Sequence, residues 1–155
     1  MKKYTLIFLF ISLNAFTQKA FNENEYRKGK KTIVFFHPYM NNENYFKEFA
    51  LPLIDNFNIV HLRGAKGNNN IYNWYDLDVY SDSFINVSQA KNVIEKTNAL
   101  LKDFNNIVLV GYSQGGIIAN GLMLLNPKKY NRVISINSYI NEELINLKKK
   151  DFSNV

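Results

Sequence analysis

Short apolar runs alternate along this sequence with segments in which apolar residues recur every three or four positions. The runs are rich in β-branched and aromatic side chains, which favours strands that are covered on both faces of a sheet. The spaced segments are typical of helices that bury one side. The predicted strands are 32–37, 58–62, 106–110 and 132–136, and the predicted helices run from Asn41 or Asn42 to Pro52, from Ser81 or Ser83 to Leu101, over 114–125 and over 141–150. This alternation predicts an α/β fold with a mainly parallel sheet and helices on both faces.

The first 17 residues have the pattern of a signal peptide. Lys2 and Lys3 precede an uncharged apolar run over 4–13, and small residues follow at Ala15 and Thr17. A cleaved leader over 1–17 predicts a secreted or periplasmic protein whose remaining domain is 18–155. Because the run is too short to cross a bilayer as a helix, we expect no stable membrane anchor. The alternative interpretation of the run is a buried N-terminal strand or helix.

A polar segment over 64–83 is predicted to be a long loop, and loops of this length in compact domains usually have a function. Its aromatic residues Tyr72, Trp74 and Tyr75 are expected either to line a pocket for an acyl chain or aromatic group, or to fold against one another. Arg63, just before the segment, is expected to hold it through a carboxylate such as Asp76.

Composition narrows the chemistry. The chain has 155 residues, the size of one domain, and it contains no cysteine. Disulfides, thiolate zinc sites and a thiol nucleophile are therefore excluded. The sequence has two histidines, and Asp76 and Asp78 lack a third ligand at a metal-binding spacing, so we expect neither a metal nor another cofactor. The net charge of +6, without a long basic block, indicates solubility rather than a nucleic-acid partner.

The most hydrophobic predicted strand leads directly into the sequence Gly111-Tyr112-Ser113-Gln114-Gly115, and a predicted helix follows it. In this context G-x-S-x-G predicts a nucleophile elbow, a strained turn that lifts the serine hydroxyl above the sheet. Gly111 and Gly115 are expected because the turn leaves no room for a Cβ at those positions. The N-terminus of the helix would face an oxyanion formed beside Ser113. The alternative, a dinucleotide-binding turn, requires G-x-G-x-x-G after the first strand, and that spacing is absent.

Residues 31–140 resemble the α/β-hydrolases, and within them the phospholipase/carboxylesterase group that includes acyl-protein thioesterases. The resemblance rests on motifs in the same order as in that group: FFHPY at 35–39, HLRG at 61–64 with WYDL at 74–77, GYSQGG at 111–116, and VISINS at 133–138. The first motif is similar to the oxyanion loop, although Pro38 replaces the usual glycine. The expected fold is therefore an α/β-hydrolase sheet that lacks its last strands.

The resemblance also implies an activity and the residues that carry it. The protein is expected to be a serine hydrolase of small esters or acyl-lipid esters that uses no cofactor. Ser113 would form the acyl-enzyme, and the backbone N–H groups of Gln114 and Tyr39 would stabilise the oxyanion. His37, Trp74 and Tyr75 are the residues expected around the pocket.

The histidines depart from the family pattern, in which nucleophile, acid and histidine follow one another along the chain. No histidine follows Ser113. His37 is expected either to brace the oxyanion loop or to act as the base, and His61 to be a core residue of its strand. One explanation for the missing histidine is that the chain is the N-terminal part of a longer hydrolase. The others are that a homodimer or a second chain completes the site through the open sheet edge, or that the chain is a catalytically impaired ligand-binding module.

Overall fold

The computed structural model describes residues 19–22, for which it gives the backbone alone, and residues 26–145. The strands in these residues are β1 (Lys19–Asn22), β2 (Thr32–Phe36), β3 (Asn58–Arg63), β4 (Lys66–Asn68), β5 (Ile71–Asn73), β6 (Ile107–Tyr112) and β7 (Val133–Ile136). Five of them form one sheet in the order β1-β3-β2-β6-β7. All its pairings are parallel except that of β1 with β3. The predicted α/β fold with a mainly parallel sheet is confirmed.

The helices are α1 (Lys47–Ala50), α2 (Val87–Leu100), α3 (Gln114–Leu125) and α4 (Glu142–Ile145), and 3₁₀ turns at Glu43–Phe46 and Leu51–Leu53 flank α1. The side chain of Asn42 accepts a hydrogen bond from the N–H of Asn44 and caps the first of these turns, as predicted. Pro52 lies in the second turn.

Helices cover both faces of the sheet because alternate residues of β2 point to opposite sides. Val34 and Phe36 pack in a core cluster with α2, α3 and α4. Ile33 and Phe35 pack in a second cluster with the segment around α1. Each buried large apolar side chain stabilises the fold by about 1.5–3 kcal/mol, so both faces contribute to holding the strands in register.

The start of α2 differs from the prediction. Neither Ser81 nor Ser83 caps the helix; the cap is Asn86, whose side chain accepts from the N–H of Gln89 at 3.2 Å. Phe84, predicted to lie on the apolar side of this helix, precedes it with a φ of +53° and is 57% exposed. Asparagine and serine are both good caps, so sequence alone does not choose among these three sites.

The predicted long loop over 64–83 contains a hairpin, and its prediction as irregular structure was wrong over β4 and β5. The two strands are joined by a tight turn in which Asn69 and Asn70 have φ values of +49° and +66°. Asparagine tolerates this left-handed region better than most residues. Backbone hydrogen bonds between Tyr72 and Asn41 tie the hairpin to the loop that follows β2.

The two edges of the sheet are formed by β1 and β7. The strand β1 is not among the strands predicted from the sequence, yet its backbone pairs with β3 and forms one edge. At the other edge, β7 pairs with β6, and no other strand in the described part of the chain lies beside it. Ile134 and Ile136 of β7 are 53% and 39% exposed, in agreement with the predicted open edge.

The described part of the chain leaves two sequence predictions unexamined. The signal peptide over 1–17 lies outside it, as does the second half of the helix predicted over 141–150, of which Glu142–Ile145 is helical. Within residues 19–22 and 26–145, no helix is both long and apolar enough to cross a membrane.

Candidate active site

Ser113 occupies a strained bend at the carboxyl edge of the sheet, between the end of β6 and the start of α3. Its φ and ψ are +51° and −118°, a conformation that costs a residue with a Cβ about 1–3 kcal/mol. The bend is held by a 2.9 Å hydrogen bond from the N–H of Ser113 to the carbonyl of Ile136, the last residue of β7. The side chain is partly exposed, and in residues 26–145 no hydrogen bond holds its hydroxyl.

The glycines on either side of Ser113 are required by close backbone packing. A Cβ on Gly111 would lie 2.5 Å from the carbonyl oxygen of Gly115, and one on Gly115 would lie 2.3 Å from the carbonyl oxygen of Phe36 and 2.5 Å from that of His37. The absence of both Cβ atoms therefore lets α3 start against the end of β2. This contact brings the bend at Ser113 next to the loop that carries Tyr39.

Gln114, the first residue of α3, has two separate roles in the local structure. Its backbone N–H belongs to the first turn of the helix, whose N–H groups have no acceptor within the helix. Its buried side chain accepts from the N–H of Trp74 at 2.9 Å and donates to the carbonyl of Tyr75 at 2.9 Å. The side chain thus fixes the segment after β5, and the backbone N–H lies in the first turn of α3, next to Ser113.

His37 braces the loop after β2 through both of its ring nitrogens. Nε2 accepts from the N–H of Gly64 at 3.0 Å, so the ring proton is on Nδ1, which donates to the carbonyl of Pro38 at 2.7 Å. The indole of Trp74 stacks on the ring and donates to the carbonyl of His37 at 2.7 Å. With both nitrogens engaged by backbone groups, His37 has the bracing role and does not face Ser113 as a base.

Burial lowers the pKa of His37 from its ordinary value of 6.5 to about 4. The unfolded chain therefore binds a proton between these values that the folded chain does not. The resulting stabilisation is fully present above pH 6.5, and about 3 kcal/mol of it is lost as the pH falls to 4. We expect urea unfolding at pH 7, 5 and 4 to reveal this loss.

The matched variant is His37→Gln, whose amide oxygen can still accept from Gly64. Carboxyl groups such as Asp76, whose pKa is lowered by its hydrogen bond with Lys66, contribute acid sensitivity to both proteins alike. The difference between wild type and variant therefore isolates the imidazole. Equal pH dependence in the two proteins would contradict the proposed neutral state of His37.

His61 lies on the other face of the sheet from Ser113's helix. It is 1% exposed and stacks on Phe35 at 5.1 Å between ring centroids. Phe35 belongs to the cluster on the α1 side, whereas Ile117 and Ile118 of α3 belong to the opposite cluster. His61 is a core residue, as expected.

The aromatic residues of the 64–83 segment pack inward. Trp74 and Tyr75 are 0% and 1% exposed and belong to the main core cluster. They do not face solvent, and their backbone groups bind the side chain of Gln114. Tyr72 is only partly buried, and its ring lies under the guanidinium of Arg63.

Arg63 does not hold the segment through Asp76, and that prediction was wrong. Its Nε and Nη2 donate to the two carboxylate oxygens of Glu43, each at 2.7 Å, and its Nη1 donates to the hydroxyl of Tyr72. The pair with Glu43 raises the pKa of Arg63. Asp76 is paired with Lys66 and Gln89 instead.

The second predicted oxyanion donor, Tyr39, lies in the loop that these contacts fix. His37 anchors the loop before it, and the N–H of Met40 donates to the side chain of Asn73 after it, at 2.7 Å. Tyr39 itself is 36% exposed. In the described residues, no three acidic or histidine side chains cluster in a way that could hold a metal ion.

A parallel sheet with helices on both faces and a strained serine between strand and helix defines the class of α/β-hydrolases. Residues 18–150 match the Phospholipase/Carboxylesterase family, and the chain belongs to that family.

Individual relatives agree with this assignment. A putative esterase/lipase of Mycoplasma pneumoniae is 29% identical over 133 residues, which cover 81% of this chain and 45% of that protein. The carboxylesterase of Bacillus cereus has a similar structure, with a TM-score of 0.65 at 17% identity, over 79% of this chain and 61% of that one. A carboxylesterase from Mesorhizobium loti matches with a TM-score of 0.63 at 15% identity, over 73% of this chain and 57% of that one. The chain thus spans less than two thirds of the length of each.

Proposed function

We propose that the protein is a serine carboxylic-ester hydrolase in which Ser113 is the nucleophile. The observation that carries the proposal is the left-handed conformation of Ser113 between β6 and α3, stabilised by neighbours that exclude a Cβ at Gly111 and Gly115. Strain of this kind persists only where the surrounding structure over-determines it, and it concentrates at functional sites. Membership of the Phospholipase/Carboxylesterase family supports the same chemistry.

The reaction begins when the Ser113 Oγ attacks the ester carbonyl and a base removes its proton. The tetrahedral oxyanion is stabilised by the backbone N–H of Gln114, aided by the N-terminus of α3, and by that of Tyr39. Collapse expels the alcohol and leaves an acyl-serine, which water then hydrolyses to the carboxylic acid. The loss of one such donor typically costs about 3–4 kcal/mol of transition-state stabilisation.

We propose that the base is not a histidine of this sequence. The chain has two histidines. Both ring nitrogens of His37 are hydrogen-bonded to backbone groups. His61 is buried on the other face of the sheet, against Phe35. A serine hydroxyl without a base is a weak nucleophile at neutral pH. A histidine that acts as this base would therefore have to come from outside this sequence.

The substrate class is proposed to be small esters or acyl-lipid esters, which agrees with the esterase/lipase name of the Mycoplasma relative. The proposed location is secreted or periplasmic, and it rests on the leader-like pattern of residues 1–17 alone.

The test is the rate at which an alkyl fluorophosphonate labels the protein with and without added imidazole. Free imidazole can take the place of a missing histidine, so we expect slow labelling of the wild type that imidazole accelerates by about tenfold or more. Labelling is a better readout than ester hydrolysis here because imidazole itself hydrolyses activated esters.

The matched control is Ser138→Ala. The Ser138 hydroxyl lies beside Gly116 in the first turn of α3, but the proposal gives it no chemical role, so the variant should label like the wild type. Rapid labelling that ignores imidazole would show that a base is already present and would overturn the proposal about the base. No labelling under either condition, together with tight binding of an acyl ligand, would favour the impaired ligand-binding module.

A further inference from the structure

A cavity of about 320 Å³ opens between the β4–β5 hairpin and α2. Ser113, Gln114 and Tyr39 are not among the residues that line it, so it is separate from the proposed reaction site. Its volume is at the lower end of the range for small-molecule pockets. The residues that line it are Ala65, Lys66, Trp74, Gln89, Asn92, Val93 and Lys96, and the amide of Gln89 is bound to Asp76.

The inner part of the cavity is apolar. Ala65 and Val93 form its walls, and the fully buried Trp74 lies behind them with no exposed surface of its own. The aliphatic portions of Lys66 and Lys96 extend the apolar surface towards the opening, since long cationic side chains keep their stems on apolar surface and their charges in water. A ligand that fills this space must therefore carry an unbranched or compact apolar group.

The opening of the cavity carries one uncompensated positive charge. Lys66 is neutralised by its ion pair with Asp76. Lys96 is exposed and makes no ion pair with any other residue in 26–145. Asn92 lies one turn before Lys96, on the same side of α2, and its exposed amide adds hydrogen-bond donors at the same edge.

We propose that this cavity binds a medium-chain aliphatic carboxylate. The apolar tail would enter between Ala65 and Val93 towards Trp74, and the carboxylate would be held at the opening by Lys96 and Asn92. A single cation matches one carboxylate charge, and the apolar walls account for the tail. The proposal does not depend on the chemistry of Ser113.

Occupancy of the cavity has a built-in reporter, because Trp74 is the sole tryptophan of the sequence. The backbone and indole of the same residue donate to Gln114 and to the carbonyl of His37. The ligand would thus lie close to a side chain that directly supports the two segments proposed to bind the oxyanion.

The experiment is a titration of the full chain with octanoate below its micellar range, followed by Trp74 fluorescence. We expect a saturable change with octanoate and much weaker effects of octylamine, which reverses the charge, and of octanol, which removes it. Lys96→Glu should weaken octanoate binding by about tenfold. The matched control Lys102→Glu reverses an exposed charge just after α2 and outside the cavity, and it should leave binding unchanged.

A second variant, Ala65→Leu, fills the cavity from a half-buried position and should abolish the saturable change while the circular dichroism spectrum stays native. The proposal is overturned if octanoate gives no saturable change, if octylamine binds as tightly, or if the two lysine variants weaken binding equally. Retention of full binding in a natively folded Ala65→Leu protein would also overturn it.

Discussion

Gly115→Ala is expected to destabilise the protein by about 3 kcal/mol. The added Cβ would lie 2.3 Å from the carbonyl oxygen of Phe36 and 2.5 Å from that of His37. Both atoms belong to backbone at the end of β2, where Phe36 is paired with Gly111 of β6, so they cannot move without disturbing the central pairing of the sheet. Urea unfolding at pH 7 measures the loss.

Gly29→Ala is the matched control for that substitution. Gly29 has a φ of +90°, and a Cβ there would meet nothing within 4 Å. Its replacement therefore measures backbone strain alone, which is about 1–2 kcal/mol for a residue that carries a Cβ in this region. If Gly115→Ala costs no more than Gly29→Ala, α3 does not start against β2 as closely as described.

Ser113→Ala is expected to eliminate the stoichiometric burst of p-nitrophenol that is released when the protein is mixed with p-nitrophenyl acetate. In the wild type, this activated ester should acylate Ser113 even without a base, although slowly, with a burst whose amplitude is stoichiometric with protein. Hydrolysis of the acyl-serine needs a base to activate water, and residues 26–145 offer no histidine that could do so. A burst followed by slow turnover is therefore expected from the wild type, and no burst from the variant.

Ser138→Ala should retain the burst of the wild type, because its hydroxyl is adjacent to α3 but is not held in the strained bend. Unfolding measurements on both variants establish that the fold is intact. A burst that persists in Ser113→Ala would assign the acylation to another side chain and would contradict the proposed mechanism.

The central elements could be predicted from sequence because local patterns agree with their environment. The predicted helix over 114–125 coincides with α3, and the runs that begin at 32 and 58 coincide with β2 and β3 to within a residue. Continuous apolar runs define strands that are buried on both faces. The two glycines around Ser113 specify the bend because neither carries a Cβ. This signal is contained in five consecutive residues of the sequence.

The elements that sequence missed depend on contacts between distant residues. β1 has no marked apolar pattern, and its strand conformation comes from pairing with β3, about forty residues later in the chain. Arg63 and Glu43 are twenty residues apart, and nothing near either residue indicates the other as its partner. The bonds of the Gln114 side chain to the segment after β5 span about forty residues, so the motif indicated the backbone role of Gln114 and not this one.

The histidines illustrate the same limit at the site itself. The sequence allowed His37 to be either a brace or a base. Two features of the structure favour the brace. The N–H of Gly64, 27 positions later in the chain, donates to Nε2 of His37, and burial lowers the pKa of the ring. These are properties of the folded chain that no local spacing reports.

The most direct test of the central claim is to locate the covalent adduct after fluorophosphonate treatment, by mass spectrometry of proteolytic peptides. The account predicts a single modified residue, Ser113, in protein treated in the presence of imidazole. An adduct on any other serine, or on a lysine or tyrosine while Ser113 stays unmodified, would contradict it.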